Sequence, residues 1–222
     1  MAGAEMTSFH PIITADVVLV AVHEDRLKVL LIQRDNEPYR DHWALPGAVL
    51  DVDLDRSLEV TAKRALDLRI KLKVPHFEPV AVFSGPNRDP RGYSISVVYL
   101  ALLPSDQAAA IASLKVRDVV WSDVNRLKHP LAFDHGKIIE VAIKHLRKKV
   151  EQFAQPLHLL PTQFTLSELQ RMCEIVLQHP LDKRNFRRRL EAEKCLIEID
   201  GSFQHGSFRP AQLYRKAATF RF

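Results

Sequence analysis

Cysteine is scarce in this sequence, and long apolar runs are absent. The 222 residues contain two cysteines, Cys173 and Cys195, which lie in separate apolar helical patterns without metal-ligand spacing. Such thiols are expected to be buried and reduced, as in a cytoplasmic protein. No apolar run approaches the roughly 20 residues that span a bilayer, and the first residues lack the basic start and apolar core of a signal peptide. We therefore expect a cytoplasmic protein that is not anchored in a membrane.

The composition is that of an ordinary globular protein with an excess of cations. Hydrophobic residues make up 46% and charged residues 27%, and the formal net charge is +5. A chain of this length can bury a sizeable core as one large or two modest domains. The positive charge is compatible with a polyanionic partner but does not establish one.

Strand and helix signals alternate over residues 1–150, which predicts a mixed α/β or α+β domain. Apolar, β-branched or alternating runs predict strands at 12–22, 27–34, 77–84, 94–103 and 118–121. A helix is expected after Asp55 as N-cap, with Leu58, Ala62, Ala65 and Leu66 on its apolar face. A second, amphipathic helix is predicted at 137–149.

The pattern changes after residue 150, so residues 151–160 are predicted to be a linker and residues 161–222 a second domain. Thr165 and Glu168 match a capping box that starts one helix, and Asp182 is the expected N-cap of the next. Runs at 195–199 and 212–220 predict strands, with turn signals at Asp200-Gly201 and His205-Gly206. Helix, turn, helix and hairpin in this order predict a winged helix-turn-helix domain.

The second helix of this domain, DKRNFRRRLEAEK, carries cations around the apolar positions Phe186 and Leu190. A solvated charged surface is the alternative interpretation. The position of the cations at the start of the helix favours phosphate binding, and the helix-turn-helix order favours DNA. Asn185 is a candidate for reading adenine. The candidate DNA contacts are Thr165, Ser167, Lys183, Arg184, Asn185, Arg187, Arg188, His205 and Arg209.

The whole chain from about residue 12 to 222 resembles the Nudix-related transcriptional regulators, which are bacterial repressors of NAD biosynthesis genes. Six motifs in order support the resemblance: WALPG at 43–47, RDPRG at 88–92, LAFDHGKII at 131–139, FTLSELQ at 164–170, LDKRNFRRRL at 181–190 and FRPAQLYR at 208–215. The resemblance implies a Nudix-like sandwich followed by a winged helix-turn-helix, with ADP-ribose as the usual effector.

An active Nudix box would place a glutamate pair in the helix after WALPG to hold Mg²⁺. If Arg64 is the box arginine, Ala65 follows it and Leu68 and Arg69 replace the pair. The other two registers put Ala65-Leu66 or Leu66-Asp67 there. Glu59 and Asp67, eight residues apart, are the remaining candidates for a displaced metal site. Asp51, Asp53 and Asp55 lack the glycine and glutamate of a calcium loop. We predict no catalytic residues, no metal site and no required cofactor.

The same residues predict a cavity kept as a sensor. Without the acids, arginines can bind a diphosphate directly. The candidates for phosphate contacts are Arg34, Arg88 and Arg91, with Trp43, Tyr93 and Phe133 as aromatic neighbours and His135 beside them. A structural role is an equally good interpretation of each of these residues.

The leading hypothesis is therefore a repressor of NAD genes that senses an ADP-ribose-like nucleotide. It is expected to bind a palindromic operator in double-stranded DNA as a homodimer, because one winged helix reads only a few base pairs. One alternative is an active ADP-ribose pyrophosphatase with displaced acids. Another is a regulator of a sugar pathway.

Overall fold

The computed structural model describes residues 10–70, 74–113, 118–152, 156–205 and 210–218. The first part of the chain is a mixed sheet with helices on both faces. Its strands are β1 (Ile12–His23), β2 (Arg26–Gln33), β3 (Trp43–Ala44), β4 (Gly47–Val49), β5 (His76–Gly85), β6 (Ser94–Leu102) and β7 (Val119–Asp123). Its helices are α1 (Leu58–Ile70), α2 (Ser105–Ser113) and α3 (His135–Glu151).

Strand β1 lies at the centre of this sheet, as its nearly continuous apolar sequence predicted. The strand order is β3-β2-β1-β6-β5, and β4 also pairs with β1 while β7 pairs with β2. Strands β1 and β6 are parallel, and the other pairs are antiparallel. The parallel pair places the polar residues of the two strand starts beside each other, at the edge where the cavity described below is found.

The two faces of β1 belong to two cores. Val17 and Leu19 pack with α1 and α2, whereas Val18 and Val20 pack with α3. This alternation follows from the period of two along a strand. The resulting order of helix, sheet and helix is the sandwich predicted from the alternating signals.

The prediction for the start of α1 was wrong. The helix begins at Leu58, and the hydroxyl of Ser57 accepts a hydrogen bond from the Val60 N–H at 3.3 Å, so Ser57 is the capping residue. Asp55 lies two residues before Ser57 and is buried in a separate contact with Arg64. Helix α2 was not predicted, because its short alanine-rich sequence has neither a strand period nor a long amphipathic one.

The second part of the chain is a small helical unit with a three-stranded sheet. It contains β8 (Phe164–Thr165), α4 (Leu166–Leu177), α5 (Lys183–Glu193), β9 (Leu196–Gln204) and β10 (Ala211–Lys216), with the strand order β8-β10-β9. Both predicted caps are confirmed. Thr165 and Glu168 form the complete capping box of α4, and the Asp182 carboxylate accepts from the Asn185 N–H at 2.8 Å.

The first turn signal of the hairpin was wrong, because Asp200 and Gly201 lie within β9. The pairing shifts there, so that Gln212 faces Phe203 while Tyr214 faces Glu198. The extra residues form a bulge, in which Gly201 adopts a φ of 69°. The Gln212 amide donates to the carbonyl oxygens of Ile199 and Ser202 and thereby closes the bulge.

The predicted linker is not a free tether. Helix α3 extends to Glu151, and Leu157, Leu159 and Leu160 are buried in the core that α3 shares with α4. The Arg147 guanidinium donates to the Val176 carbonyl at 3.0 Å and thus ties α3 to the end of α4. The mixed-sheet part of the chain and the helical unit therefore pack against each other through α3.

Both cysteines are buried and neither forms a disulfide, as expected from their surroundings. Burial raises the pKa of the Cys173 thiol to about 12, which keeps it protonated and unreactive. Among the described residues, no helix combines the length and the apolar character needed to cross a membrane.

Candidate functional site

A cavity of about 310 Å³ opens where β1, β4, the loop after β2, the loop before β6 and the start of α3 meet. Five of the seven predicted effector contacts line it, namely Arg34, Arg88, Arg91, Phe133 and His135. They come from segments that are far apart in the chain and are brought together by the central strands.

Two of the arginines are already held by carboxylates. Arg88 forms a bidentate pair with Asp134, with Nε–Oδ2 and Nη2–Oδ1 distances of 3.0 and 2.8 Å, and its Nη1 donates to the Ser94 hydroxyl. Arg91 forms a similar pair with Asp89 at 3.0 and 2.7 Å. The hydrogen bond to Asp89 raises the pKa of Arg91. These pairs fix the guanidinium groups in the absence of a ligand. Less side-chain conformational entropy would therefore be lost when an anion binds.

Arg34 is held differently, by backbone and by an aromatic ring. Its Nε donates to the Pro38 carbonyl at 2.9 Å, and its guanidinium carbon lies 4.9 Å from the centre of the Phe133 ring. Burial and the nearby charge of Arg91 lower the pKa of Arg34. Two cations that repel each other across a half-buried cavity favour the binding of an anion between them.

The inner wall of the cavity contains a buried polar group on β1. Asp16 accepts a hydrogen bond from the Ser96 hydroxyl at 2.5 Å, and its other oxygen lies 3.9 Å from Nε2 of His135. The Leu45 N–H donates to Nδ1 of His135 at 2.9 Å. A side chain at Gly47 would collide with Asp16, because an added Cβ would lie 2.2 Å from its oxygen. Glycine at the end of WALPG is thus required for this arrangement.

Helix α1 contributes apolar side chains to the cavity wall, namely Ala65 and Leu68. The two acids of α1, Glu59 and Asp67, are not among the residues that line the cavity, and Glu59 pairs with Lys63 one turn away on the helix. Arg64, the candidate box arginine, donates to both oxygens of Asp55, and these hydrogen bonds hold the pKa of Asp55 well below its usual range. That pair fastens the loop after WALPG to the helix.

Two predicted effector contacts lie outside the cavity lining. Trp43 packs against the core shared with α3, and its ring lies 5.1 Å from that of His129. Tyr93 is partly exposed, and its carbonyl accepts from the Ile12 N–H at 3.0 Å. By contrast, Tyr39 was not predicted to lie near the effector. Its ring meets that of Phe133 edge to face, with 4.8 Å between the ring centres.

Asp16 was also missed, although it left a signal. It is the one acidic residue in the otherwise apolar run 12–22. A carboxylate in the middle of a central strand requires buried partners, and this requirement often marks a site. Asp89 and Asp134 left no comparable signal, because aspartates in polar loops are common.

The recognition-helix candidate α5 presents its polar side to solvent. Lys183, Arg184, Asn185 and Arg188 are exposed, whereas Phe186 and Leu190 are buried. The Arg188 guanidinium donates to the Asn185 side-chain oxygen at 3.1 Å, and Arg187, which is half-buried, donates to the Ser167 hydroxyl at 3.3 Å. This cationic surface is continuous with the start of α4.

The remaining predicted DNA contacts differ in position. The Thr165 side chain is buried and serves as the cap of α4, accepting from the Glu168 N–H and donating to its carboxylate. His205 is exposed directly after β9. Arg209 lies outside the described residues.

Comparison with known proteins gives one match for each of the two parts of the chain. Residues 13–142 match the family model of the NUDIX domain, and residues 156–216 match that of the NrtR DNA-binding winged helix domain. The ADPR responsive transcriptional repressor NtrR of Acinetobacter baylyi is 39% identical over 93% of this chain and 82% of its own length. This chain belongs to the NrtR family.

Solved NrtR structures agree with the fold of this family member. The structure of Shewanella oneidensis NrtR complexed with a 27mer DNA has a TM-score of 0.84 and 39% identity, covering 95% of this chain and 97% of that one. The NUDIX domain of the same protein complexed with ADP ribose has a TM-score of 0.54 and 36% identity, covering 63% and 90%. The Nudix-like sandwich followed by a winged helix is thereby confirmed.

Proposed function

We propose that this NrtR-family chain represses NAD biosynthesis genes and senses an ADP-ribose-like nucleotide. In this proposal residues 1–150 bind the effector, residues 161–222 bind operator DNA, and residues 151–160 connect them. The observation that supports it most directly is the course of α3. The helix begins at His135 in the arginine-lined cavity, and its other end packs on α4 of the winged helix.

The cavity suits a diphosphate without a metal ion. Arg34 and Arg91 supply positive charge that acts directly on the phosphates, and Phe133 supplies an aromatic surface beside them. The S. oneidensis relative was solved with ADP ribose in its NUDIX domain. The shared family and the position of the arginines support the same class of ligand here.

The proposal includes the loss of hydrolysis. Metal-assisted diphosphate cleavage needs carboxylates near the metal and the attacking water, whereas α1 presents Ala65 and Leu68 to the cavity. We expect no AMP release from ADP-ribose with Mg²⁺ or Mn²⁺. Release on the order of 1 per second or faster would instead support the pyrophosphatase alternative.

DNA binding is proposed to involve two copies of the chain. A single α5 spans only a few base pairs, which cannot select one site among roughly 10⁶ or more competitors. Two copies related by a twofold axis would place two α5 helices on a palindromic operator. The S. oneidensis relative was solved in complex with a 27mer DNA, which supports this class of partner. Binding to the chromosome would place the protein in the cytoplasm.

Effector binding would act on DNA binding through α3. Arg88 bridges the cavity to Asp134, which lies just before α3, and Arg147 ties the far half of α3 to α4. A ligand phosphate that attracts Arg88 would change the contacts at the start of this helix. We propose that the rigid helix passes the change to the winged helix and alters the angle between the two α5 helices.

Calorimetry with ADP-ribose in the presence of a chelator tests the effector assignment. We expect saturable binding that Arg91→Ala weakens, because the substitution removes one of the two adjacent cations. Arg126→Ala removes the same charge from an exposed loop and serves as the control. If ADP-ribose does not bind while operator DNA does, the regulator of a sugar pathway becomes the better hypothesis.

A further inference from the structure

A buried carboxylate is an unexpected feature of a cavity that is to receive a diphosphate. Asp16 is 7% exposed, and it lines the same space as Arg34 and Arg91. A negative charge there opposes the binding of phosphate. The presence of Asp16 in the central strand therefore has to be explained by something other than attraction to the phosphates.

The two oxygens of Asp16 have different surroundings. The Oδ2 atom accepts a hydrogen bond from the Ser96 hydroxyl at 2.5 Å. The Oδ1 atom lies 2.2 Å from the position that a Cβ at residue 47 would take, and 3.9 Å from Nε2 of His135. That last distance is too long for a direct hydrogen bond. An oxygen atom placed to one side of the line that joins Oδ1 and Nε2, about 2.8 Å from each, can hydrogen-bond to both.

The tautomer of His135 determines what this oxygen must be. The Leu45 N–H donates to Nδ1, so Nδ1 is an acceptor and the proton of the neutral ring lies on Nε2. Burial lowers the pKa of His135, which keeps the ring neutral near pH 7. The inner wall of the cavity therefore offers one donor, Nε2–H, and one acceptor, Oδ1, 3.9 Å apart.

The geometry points to a hydroxyl subsite: Asp16 and His135 bind a sugar hydroxyl of the effector, which donates to Oδ1 and accepts from Nε2–H. A phosphate oxygen can accept but cannot donate, so it would leave the carboxylate unpaired and repelled. A hydroxyl is both donor and acceptor. This inference rests on the proposed effector function and refines it, since it selects nucleoside-diphosphate sugars over bare phosphate compounds.

Gly47 and Ser96 are positioning residues for this subsite. Ser96 holds Oδ2 and so sets the rotation of the carboxylate, while the absence of a side chain at Gly47 leaves space for Oδ1. Gly47, the last residue of WALPG, would then be needed in a protein that does not hydrolyse its ligand, because it leaves space for Oδ1 of Asp16.

Asp16→Asn tests the subsite, because it preserves the shape and the acceptor for Ser96 but replaces Oδ1 with an NH₂ group. Titrations would use two probes, ADP-ribose and inorganic pyrophosphate, with chelator present. We expect ADP-ribose to bind at least about tenfold more weakly, whereas pyrophosphate should bind equally or more tightly because a repelling charge has been removed. The opposite responses of the two probes distinguish recognition from simple electrostatics.

Asp35→Asn is the matched control. Asp35 lines the same cavity but is exposed, so its neutralisation should leave both probes equally or more tightly bound. If Asp16→Asn likewise tightens ADP-ribose binding, the carboxylate accepts no hydroxyl and the inference is refuted while the effector assignment survives. If wild-type protein binds neither probe, the effector assignment fails and the subsite with it.

A measurement on wild-type protein covers the case in which Asp16→Asn does not fold. A series of ADP-ribose analogues, each lacking one sugar hydroxyl, should contain at least one that binds about tenfold or more weakly than ADP-ribose. A series in which every analogue binds within about twofold of the parent would overturn the subsite.

Discussion

Arg188 provides the sharpest test of DNA binding, because salt dependence reports phosphate contacts separately from base contacts. Its side chain is exposed on α5, and its hydrogen bond goes to the neutral amide oxygen of Asn185, so that contact does not neutralise its charge. Each phosphate contact contributes about 0.9 to the slope of log affinity against log salt concentration. The proposed homodimer would use α5 twice, so Arg188→Ala should reduce the slope by about 1.8.

The slope converts into a measurable difference in affinity. Between about 50 and about 200 mM salt, the wild-type protein should lose about twelvefold more affinity than the Arg188→Ala variant. Fluorescence anisotropy with a labelled operator measures this directly. A non-operator duplex should show the same reduction in slope, because phosphate contacts do not depend on sequence.

Lys144→Ala is the control for this experiment. Lys144 is exposed on α3, so its substitution removes the same charge from the chain without touching α5. We expect it to leave the slope unchanged. If Arg188→Ala keeps the wild-type slope on both duplexes, the side chain does not contact phosphate and the placement of α5 in the groove is refuted.

Substitutions at three further positions have expected outcomes. Asn185→Ala should cost about 1–3 kcal/mol on the operator and relax the preference at one base position, as measured by competition with single-base variants; uniform weakening of all duplexes would contradict base reading. Thr165→Val should lower the free energy of unfolding by about 1 kcal/mol, because the cap of α4 is lost. Thr165→Ser should keep the cap, and equal denaturant midpoints for the two variants would contradict the capping role. Burial, with Lys216 and His76 nearby, lowers the pKa of His158 to about 4. The neutral ring is thus favoured in the folded protein, so stability should fall as pH drops from about 6.5 towards 4, and His158→Gln should reduce that fall in unfolding midpoints.

The sequence alone determined the features that arise from neighbouring residues. The capping box of Thr165 and Glu168, the Asp182 cap and the buried pair Phe186 and Leu190 depend on contacts within one or two helical turns. The same holds for the missing acids of α1, which can be counted without a structure. Local patterns thus predicted the two-part architecture and a basic α5.

Where a local pattern predicted the wrong structure, tertiary contacts explain the difference. The sequence predicted that Asp55 caps the start of α1. In the fold Asp55 is taken by Arg64, so Ser57 caps the helix. Similarly, Asp200-Gly201 has the composition of a turn, but pairing with β10 and the amide of Gln212 stabilise it as a bulge within a strand.

The cavity was decided by tertiary structure alone. Arg88 could be selected as a cation from the sequence, but its partner Asp134 is 46 residues away, and Leu45 meets His135 across 90 residues. Such contacts form only when the parallel pairing of β1 with β6 and the packing of α3 bring loop ends together. The sequence therefore determined which charges the protein carries, whereas the fold decided which of them are neutralised by partners and which face the cavity.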